Sequence, residues 1–290
     1  MAISEPALVF AGTAGAGKST LTAATEAWLG EHNVDPLTVN LDPGAGDLPY
    51  DPGVDIRDHV TIDEVMEEYK LGPNGAQIAA ADLIATEFGA VQERIEAYSA
   101  EVVLVDTPGQ LELFAFRASG PFVTQEISDN PMLVFLLDPA VASSARGFVS
   151  QAVLAATAHF RLQVPTLNVL GKVDTLDDDK VSEIVSWTKD SDQVLDELYK
   201  EPATMVNQLN ESFTRVLDDF QAIAETIPVS STTMEGIEDI YTLVSNQLHG
   251  GEDTLVDTGT PDEGQGPPPG GGPGGGGPGG NGGLDRDVGL

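Results

Sequence analysis

A glycine-rich stretch near the start of the chain restricts the possible folds more than any other feature. Residues 12–20 read GTAGAGKST, which fills the phosphate-binding pattern G-x-x-x-x-G-K-[S/T]. The apolar run at residues 7–11 has the length of a buried parallel strand, and apolar residues recur at helical spacing over residues 21–29. This strand, loop and helix order predicts an α/β P-loop NTPase fold, a mainly parallel sheet with helices on both faces. The alternative is a glycine-rich turn that binds nothing.

Each residue type in this stretch has a chemical reason to be there. Glycines allow backbone angles that turn successive N–H groups inward, so that they form an anion-binding nest at a helix N-terminus. The ammonium group of Lys18 would reach the phosphates, and the hydroxyl group of Ser19 would bind Mg²⁺. The residues predicted to bind the nucleotide here are Gly12, Gly15, Ala16, Gly17, Lys18, Ser19 and Thr20.

Two further predicted strands end in an aspartate. The strand at residues 36–41 is followed by Asp42, and the strand at residues 101–106 ends in Asp106, which begins the sequence DTPGQ. Parallel sheets bind ligands at the carboxyl ends of their strands. We therefore expect Asp106 to hold Mg²⁺ and Asp42 to reach the metal or the attacking water, although either could be only a turn residue. The Gly109 amide would contact the γ-phosphate, and Gln110 would orient water.

The strand predicted at residues 164–170 is followed by a pattern typical of guanine recognition. The pattern consists of Gly171, Lys172, Val173 and Asp174, in which the aspartate would bind the base edge while the lysine stem stacks on the base. Asparagine is more usual at the position of Gly171, and glycine lacks its side-chain hydrogen bonds. Ser231, after the last predicted strand, would support the base.

Taken together, these motifs resemble the GPN-loop GTPase family, because the sequence Gly72-Pro73-Asn74 lies between the second strand and DTPGQ. The resemblance covers about residues 5–249. It implies hydrolysis of GTP to GDP with Mg²⁺, and an archaeal-type homodimer in which each GPN loop approaches the nucleotide of the partner. It also implies that Asn74 lies near the γ-phosphate, and that Asp42, Asp106 and Gln110 are candidates to orient water, with Lys18 stabilising charge.

Two alternatives to a GTPase stay open. One is an ATPase of the related dimeric P-loop class, although the lysine that such proteins often carry early in the loop is absent from residues 12–15. The other is a switch, assembly factor or binding module in which turnover is incidental and protein clients are the output.

The charge of the chain restricts its environment and partners. The sequence contains 13 Lys and Arg against 47 Asp and Glu, a formal charge of −34, which argues against nucleic-acid binding by a basic face. At molar salt the Debye length falls to about 3 Å and self-repulsion fades, so we expect a halophilic protein. Apolar runs are too short to span a membrane, the start lacks a signal-peptide pattern, and there is no cysteine, so we expect a cytoplasmic location.

We expect one P-loop domain over residues 1–250 and a disordered tail over residues 251–290, acidic and then rich in Gly and Pro. Within the domain, we expect a GPN-loop insertion near 72–74 and a helical insertion near 176–225. Other expectations are an irregular segment over 48–58, a capping box at Thr61, a turn at 71–76, a helix over 79–98 interrupted by Gly89, and a helix from 111 that ends at Gly120-Pro121. Arg57 could contact phosphate or pair with a carboxylate, and the apolar stripe that begins at Met205 should pack in the core.

Overall fold

A sheet of seven parallel strands organises the protein, for which we analysed a computed structural model that describes residues 3–200, 204–219 and 226–248. The chain divides into two units, residues 1–257 and 258–290, and all the described residues lie in the first. The predicted tail lies outside the described residues, as do Pro202 and His249. Among the described residues, no helix is long and apolar enough to span a membrane.

The strands follow the order β3-β2-β4-β1-β5-β6-β7 across the sheet. Their bounds are β1 (Ile3–Gly12), β2 (Pro36–Asn40), β3 (Val54–Asp55), β4 (Val102–Asp106), β5 (Ser128–Leu137), β6 (Thr166–Leu170) and β7 (Thr226–Pro228). The glycine-rich loop follows β1 in the centre, with β4 and β5 as its neighbours. The predicted P-loop NTPase fold is therefore confirmed, and the strand order reverses beside β1, which is where such sheets bind ligands.

Helices cover both faces of this sheet. Their bounds are α1 (Lys18–Glu31), α2 (Ile62–Tyr69), α3 (Pro73–Glu96), α4 (Ser119–Glu126), α5 (Pro139–Ala142), α6 (Ala145–Leu162), α7 (Asp178–Lys189), α8 (Ser191–Tyr199), α9 (Met205–Asp219) and α10 (Ile237–Leu248). Helices α7, α8 and α9 occupy the described part of the predicted helical insertion. The capping box is confirmed, since the Thr61 side chain accepts from the Glu64 amide and the Glu64 carboxylate accepts from the Thr61 amide.

Both faces of the central strands are buried, which explains why those strands are apolar runs. In β1, Val9 packs into a core shared with α2, α3, α4 and α6, whereas Leu8 and Phe10 pack into a second core with α1 and α10. A strand that alternates between two buried faces has no polar face, as expected for a parallel sheet. This packing fixes the carboxyl end of β1, and with it the start of the glycine-rich loop.

The GPN sequence does not form the turn that we expected. Gly72 is the N-cap of α3, Pro73 is its first residue, and Asn74 follows within the first helical turn. Proline suits this position because its fixed φ is helical and the missing N–H would have no intrahelical partner there. The helix then continues to Glu96, so the predicted interruption at Gly89 is also wrong.

Two other local predictions are wrong, and a third holds only in part. Residues 111–113 form only a short 3₁₀ turn, and α4 begins at Ser119 with Gly120-Pro121 inside its first turn, where proline is tolerated. The two-residue strand β3 lies within the segment predicted to be irregular. The predicted core stripe of α9 is exposed instead, with exposed fractions of 85% for Met205 and 53% for Leu209.

Candidate functional site

The glycine-rich loop has the backbone conformation that a phosphate-binding nest requires. Gly17 is the N-cap of α1 in the left-handed region, with a φ of 106°. Gly12 lies so close to β5 that a Cβ atom there would be 2.7 Å from the Leu136 carbonyl oxygen. Both positions need glycine for these physical reasons, so the loop can present its amides at the N-terminus of α1.

Lys18 is held inside this loop by backbone carbonyl groups. Its ammonium group donates to the carbonyl oxygens of Gly12 and Thr13 at 3.2 Å and of Gly109 at 2.9 Å, and the side chain is 5% exposed. Burial lowers the pKa of Lys18, and the nearby charges of Asp106 and Asp42 oppose that shift. The cation therefore lies between the glycine-rich loop and the DTPGQ loop, where it could contact the phosphates of a nucleotide.

Asp106 has the features of a metal ligand. It lies at the end of β4, in register with Phe10 of β1, and is 1% exposed. Burial raises the pKa of Asp106, and hydrogen bonds from Ser19 and Tyr50 and the charge of Lys18 oppose the shift. Its Oδ1 atom is buried and has no hydrogen-bond partner. A buried open oxygen on a carboxylate that interacts with Ser19 fits Mg²⁺, which is bound in proteins by few side chains together with water and phosphate oxygens. Among the described residues there is no cluster of three or more His, Asp or Glu that could hold a metal.

Asp42 and Gln110 meet at a second part of the site. The Asp42 carboxylate accepts from the Gly44 amide at 2.9 Å and from the Gly109 amide at 3.0 Å. A cavity of about 90 Å³ is lined by Asp42, Gly109, Gln110 and Gln77 of α3. The predicted water-orienting pair therefore shares a cavity large enough for water. Gln77 was missed by the sequence analysis, because only the course of α3 brings it there.

A second cavity, of about 260 Å³, contains the residues predicted to read the base. Lys172, Asp174 and Ser231 line it together with Ala16 and Thr20. The ammonium group of Lys172 donates to the carbonyl oxygen of Gly15, so the two motifs are directly linked. A second serine completes the arrangement, since the Ser230 hydroxyl donates to Asp174 Oδ1 at 2.7 Å. Only Ser231 is predicted from the sequence, whereas the hydrogen bond identifies its buried neighbour Ser230 as the residue that orients Asp174.

Asn74 lies apart from these groups. It is exposed in the first turn of α3 and lines neither cavity. Large apolar side chains close to it in the sequence are exposed as well, with exposed fractions of 50% for Tyr69, 38% for Leu71 and 45% for Ile78. Within one subunit, Asn74 therefore does not join the residues that the other motifs bring together.

The segment at residues 48–58 contributes two contacts near the site, of which that of Tyr50 was not predicted from the sequence. The Tyr50 hydroxyl donates to Asp106 Oδ2 at 3.0 Å. Burial, together with the Asp106 charge, raises the pKa of Tyr50, so the phenol stays protonated. Arg57 pairs with Asp55 at 2.6 Å and donates to the carbonyl oxygens of Ala45 and Gly46 at 3.1 and 2.8 Å. Of the two interpretations of Arg57, the ion pair is therefore the observed one.

Other arginines of the described residues are also held by protein groups. Arg94 pairs with Asp58 and Arg117 with Asp82. Arg161 donates to backbone carbonyl oxygens at 3.3 Å. Lys172 therefore brings a cation to the second cavity. Lys18 brings a cation to the space between the glycine-rich loop and the DTPGQ loop.

Comparisons with known proteins agree with this arrangement. A family model described as "Conserved hypothetical ATP binding protein" matches residues 10–250. The chain is 32% identical over 238 residues to GPN-loop GTPase 1 of Dictyostelium discoideum, which covers 81% of this chain and 59% of that protein. It is 33% identical over 241 residues to GPN-loop GTPase PAB0955 of Pyrococcus abyssi, covering 81% and 94% of the two chains. The crystal structure of PAB0955, described as a GTPase in apo form, superposes with a TM-score of 0.76 at 30% identity, covering 84% of this chain and 98% of that one.

Proposed function

The chain belongs to the GPN-loop GTPase family, and from this premise we propose that it binds GTP with Mg²⁺ and hydrolyses it to GDP and phosphate. The observation that carries the proposal is the meeting of Lys18 and Asp106 at the carboxyl end of the central strands, beside the nest of the glycine-rich loop. The hydrogen bond from the Lys18 ammonium group to the Gly109 carbonyl oxygen joins two loops whose bonded residues are 91 positions apart in the sequence. Such a site supplies a cation, backbone amides and an open carboxylate oxygen to one ligand.

Different residues would serve different parts of the in-line attack of water on the γ-phosphate. The loop amides and Lys18 would bind the phosphates and stabilise charge on the transferring group. Ser19 and Asp106 would hold Mg²⁺, which when bound neutralises negative charge on the phosphate oxygens. Asp42 and Gln110 would orient the water in the cavity that they share. Because Asp42 accepts the Gly109 amide in this structure, that amide would have to leave Asp42 before it could contact a γ-phosphate.

An ATPase is the second candidate, because the matching family model is described as ATP-binding and Gly171 stands where asparagine is more usual. The bond between Ser230 and Asp174 favours guanine, since it holds a carboxylate ready to accept hydrogen bonds from the base. Competition of GTP and ATP for a fluorescent nucleotide separates the candidates. We expect the wild type to prefer GTP and Asp174→Ala to lose that preference. Equal affinity of the wild type for both nucleotides would contradict the assignment.

We further propose that a homodimer completes the site through the GPN sequence. The support is that Asn74 is exposed and that the nearby residues Tyr69, Leu71 and Ile78 have exposed apolar side chains, a kind of surface that commonly marks a protein contact. The rate of hydrolysis per subunit should therefore rise with protein concentration, in step with dimer formation measured by sedimentation velocity. A monomer with the full rate would refute this role.

Asn74→Ala tests the same proposal at one residue. It should slow hydrolysis more than it weakens GTP binding, whereas Asn210→Ala on α9 is the matched control and should change neither. An unchanged rate for Asn74→Ala would exclude Asn74 from the reaction.

If the output of the dimer is binding of protein clients, their capture should depend on which nucleotide is bound, and clients that bind GTP-loaded and GDP-loaded protein equally would contradict a switch.

A further inference from the structure

Tyr50 connects the segment at residues 48–58 with the carboxylate at the end of β4. The phenol comes from the loop between β2 and β3, 56 residues before Asp106, and reaches Oδ2 at 3.0 Å. A hydroxyl group that donates to a buried carboxylate forms a charge-assisted hydrogen bond, which is stronger than a neutral one. The contact therefore restricts the orientation of Asp106.

The two oxygens of Asp106 have different surroundings. Oδ2 accepts from Tyr50, whereas Oδ1 is buried without a hydrogen-bond partner. The phenol therefore does not block the carboxylate, because it leaves Oδ1 open. A carboxylate that is free to rotate would exchange its two oxygens, and the bond from Tyr50 opposes that rotation.

The loop that carries Tyr50 is held at both ends. Arg57 binds the carbonyl oxygens of Ala45 and Gly46 before Tyr50, and it binds Asp55 after it. The Asn40 side-chain amide also donates to Asp55 Oδ1, at 2.9 Å. Residues 45–57 therefore form a loop that Arg57 closes. This closure restrains the position of the Tyr50 phenol.

We propose that Tyr50 is a positioning residue for Asp106, whose Oδ1 it keeps available to bind Mg²⁺. This inference rests on the proposed function, because it assigns Asp106 to the metal of the bound nucleotide. Hydrogen-bond partners of metal ligands orient those ligands, and their loss typically weakens metal affinity about 10- to 100-fold. Tyr50 would thus make the metal site sensitive to the arrangement of residues 45–57.

Tyr50→Phe tests the proposal, because it removes the hydroxyl group and keeps the ring. The measurement is the affinity for a fluorescent GTP analogue over a range of Mg²⁺ concentrations and in EDTA. We expect the Mg²⁺ concentration for half-maximal enhancement of binding to rise about tenfold or more, while affinity in EDTA stays unchanged. The matched control is Tyr98→Phe, which removes the hydrogen bond from the exposed Tyr98 hydroxyl to the Gly53 carbonyl oxygen in the same loop but leaves Asp106 intact. The control should match the wild type in both conditions.

Each other outcome has a defined meaning. If Tyr50→Phe binds Mg²⁺ as the wild type does, or more tightly, the positioning role is wrong. If it weakens binding equally with Mg²⁺ and in EDTA, or if Tyr98→Phe has the same effect, the hydroxyl group acts only on loop structure and the role is again overturned. If the wild type itself shows no Mg²⁺-dependent affinity for a purine triphosphate, the proposed function fails and this assignment fails with it.

Discussion

Replacing Gly17 with alanine tests whether the loop conformation, and not merely its sequence, forms the nucleotide site. Gly17 has a φ of 106°, which L side chains rarely adopt, and strain of this kind costs about 1–3 kcal/mol. The added Cβ would also lie 3.3 Å from Lys172 Cε, near the end of a flexible side chain that needs to move by only a few tenths of an ångström. Backbone strain therefore dominates, and we expect Gly17→Ala to lower the stability of the nucleotide-free protein by about 1–3 kcal/mol.

Gly30→Ala is the matched control, because it makes the same chemical change in the same helix with the opposite expected sign. Gly30 is exposed near the end of α1, and a Cβ atom there would meet no atom within 4 Å. Alanine at such a position stabilises a helix by about 0.5–1 kcal/mol relative to glycine. The two variants should therefore shift the free energy of unfolding in opposite directions.

Urea denaturation of the nucleotide-free variants in molar KCl gives both free energies, and a nucleotide titration completes the comparison. Gly17→Ala should also lose GTP affinity, because relief of the strain moves the amides of the nest, whereas Gly30→Ala should bind as the wild type does. If Gly17→Ala proves as stable as Gly30→Ala, the left-handed conformation of Gly17 is not required and the reasoning is wrong.

Three further predictions follow from other parts of the molecule. Burial raises the pKa of Asp106 above its unfolded value, so the ionised carboxylate costs stability at neutral pH, and that cost falls as the pH drops through the raised pKa. Asp106→Asn should thus raise the melting temperature without nucleotide, most at neutral pH and less in acid, while it abolishes the Mg²⁺ dependence of binding; a lower melting temperature at neutral pH would contradict this. Gly89→Ala, inside α3 with no atom within 4 Å of the added Cβ, should stabilise by about 0.5–1 kcal/mol in urea denaturation, and a loss of stability would indicate a break in the helix. Because the formal charge is −34, the melting temperature in calorimetry should rise from dilute buffer to molar KCl, and a fall would refute the expected salt adaptation.

The strands and the position of the glycine-rich loop could be predicted from sequence because their signals are local. Central strands such as β4 are buried on both faces, so they appear as short apolar runs, and Asp106 follows as the first polar residue. Gly17 and Lys18 belong to a motif whose residue spacing is set by one loop and the first turn of α1. The structure brings these residues together as expected, because the carboxyl ends of parallel strands share one edge.

Other features depend on information that local patterns do not contain. Proline has the same φ in the first turn of a helix as in the second position of a β-turn, so Pro73 suits both, and the packing of α3 decides between them. Tyr50 and Gln77 reach the site only through the tertiary path of their segments, so no spacing predicts them. The stripe on α9 has the pattern of a core helix and yet is exposed, since periodicity shows that a helix has an apolar face but not what covers it.

The hydrogen bonds of Arg57 have a consequence for the timing of the reaction. In Gα and Ras–GAP systems an arginine finger accelerates GTP hydrolysis by about 10³–10⁵-fold. Here Arg57 is bound to its own loop, and Arg94 and Arg117 are held by carboxylates. With these three guanidinium groups engaged in this way, none of them is free to act as such a finger, so the GTP-bound form would be long-lived.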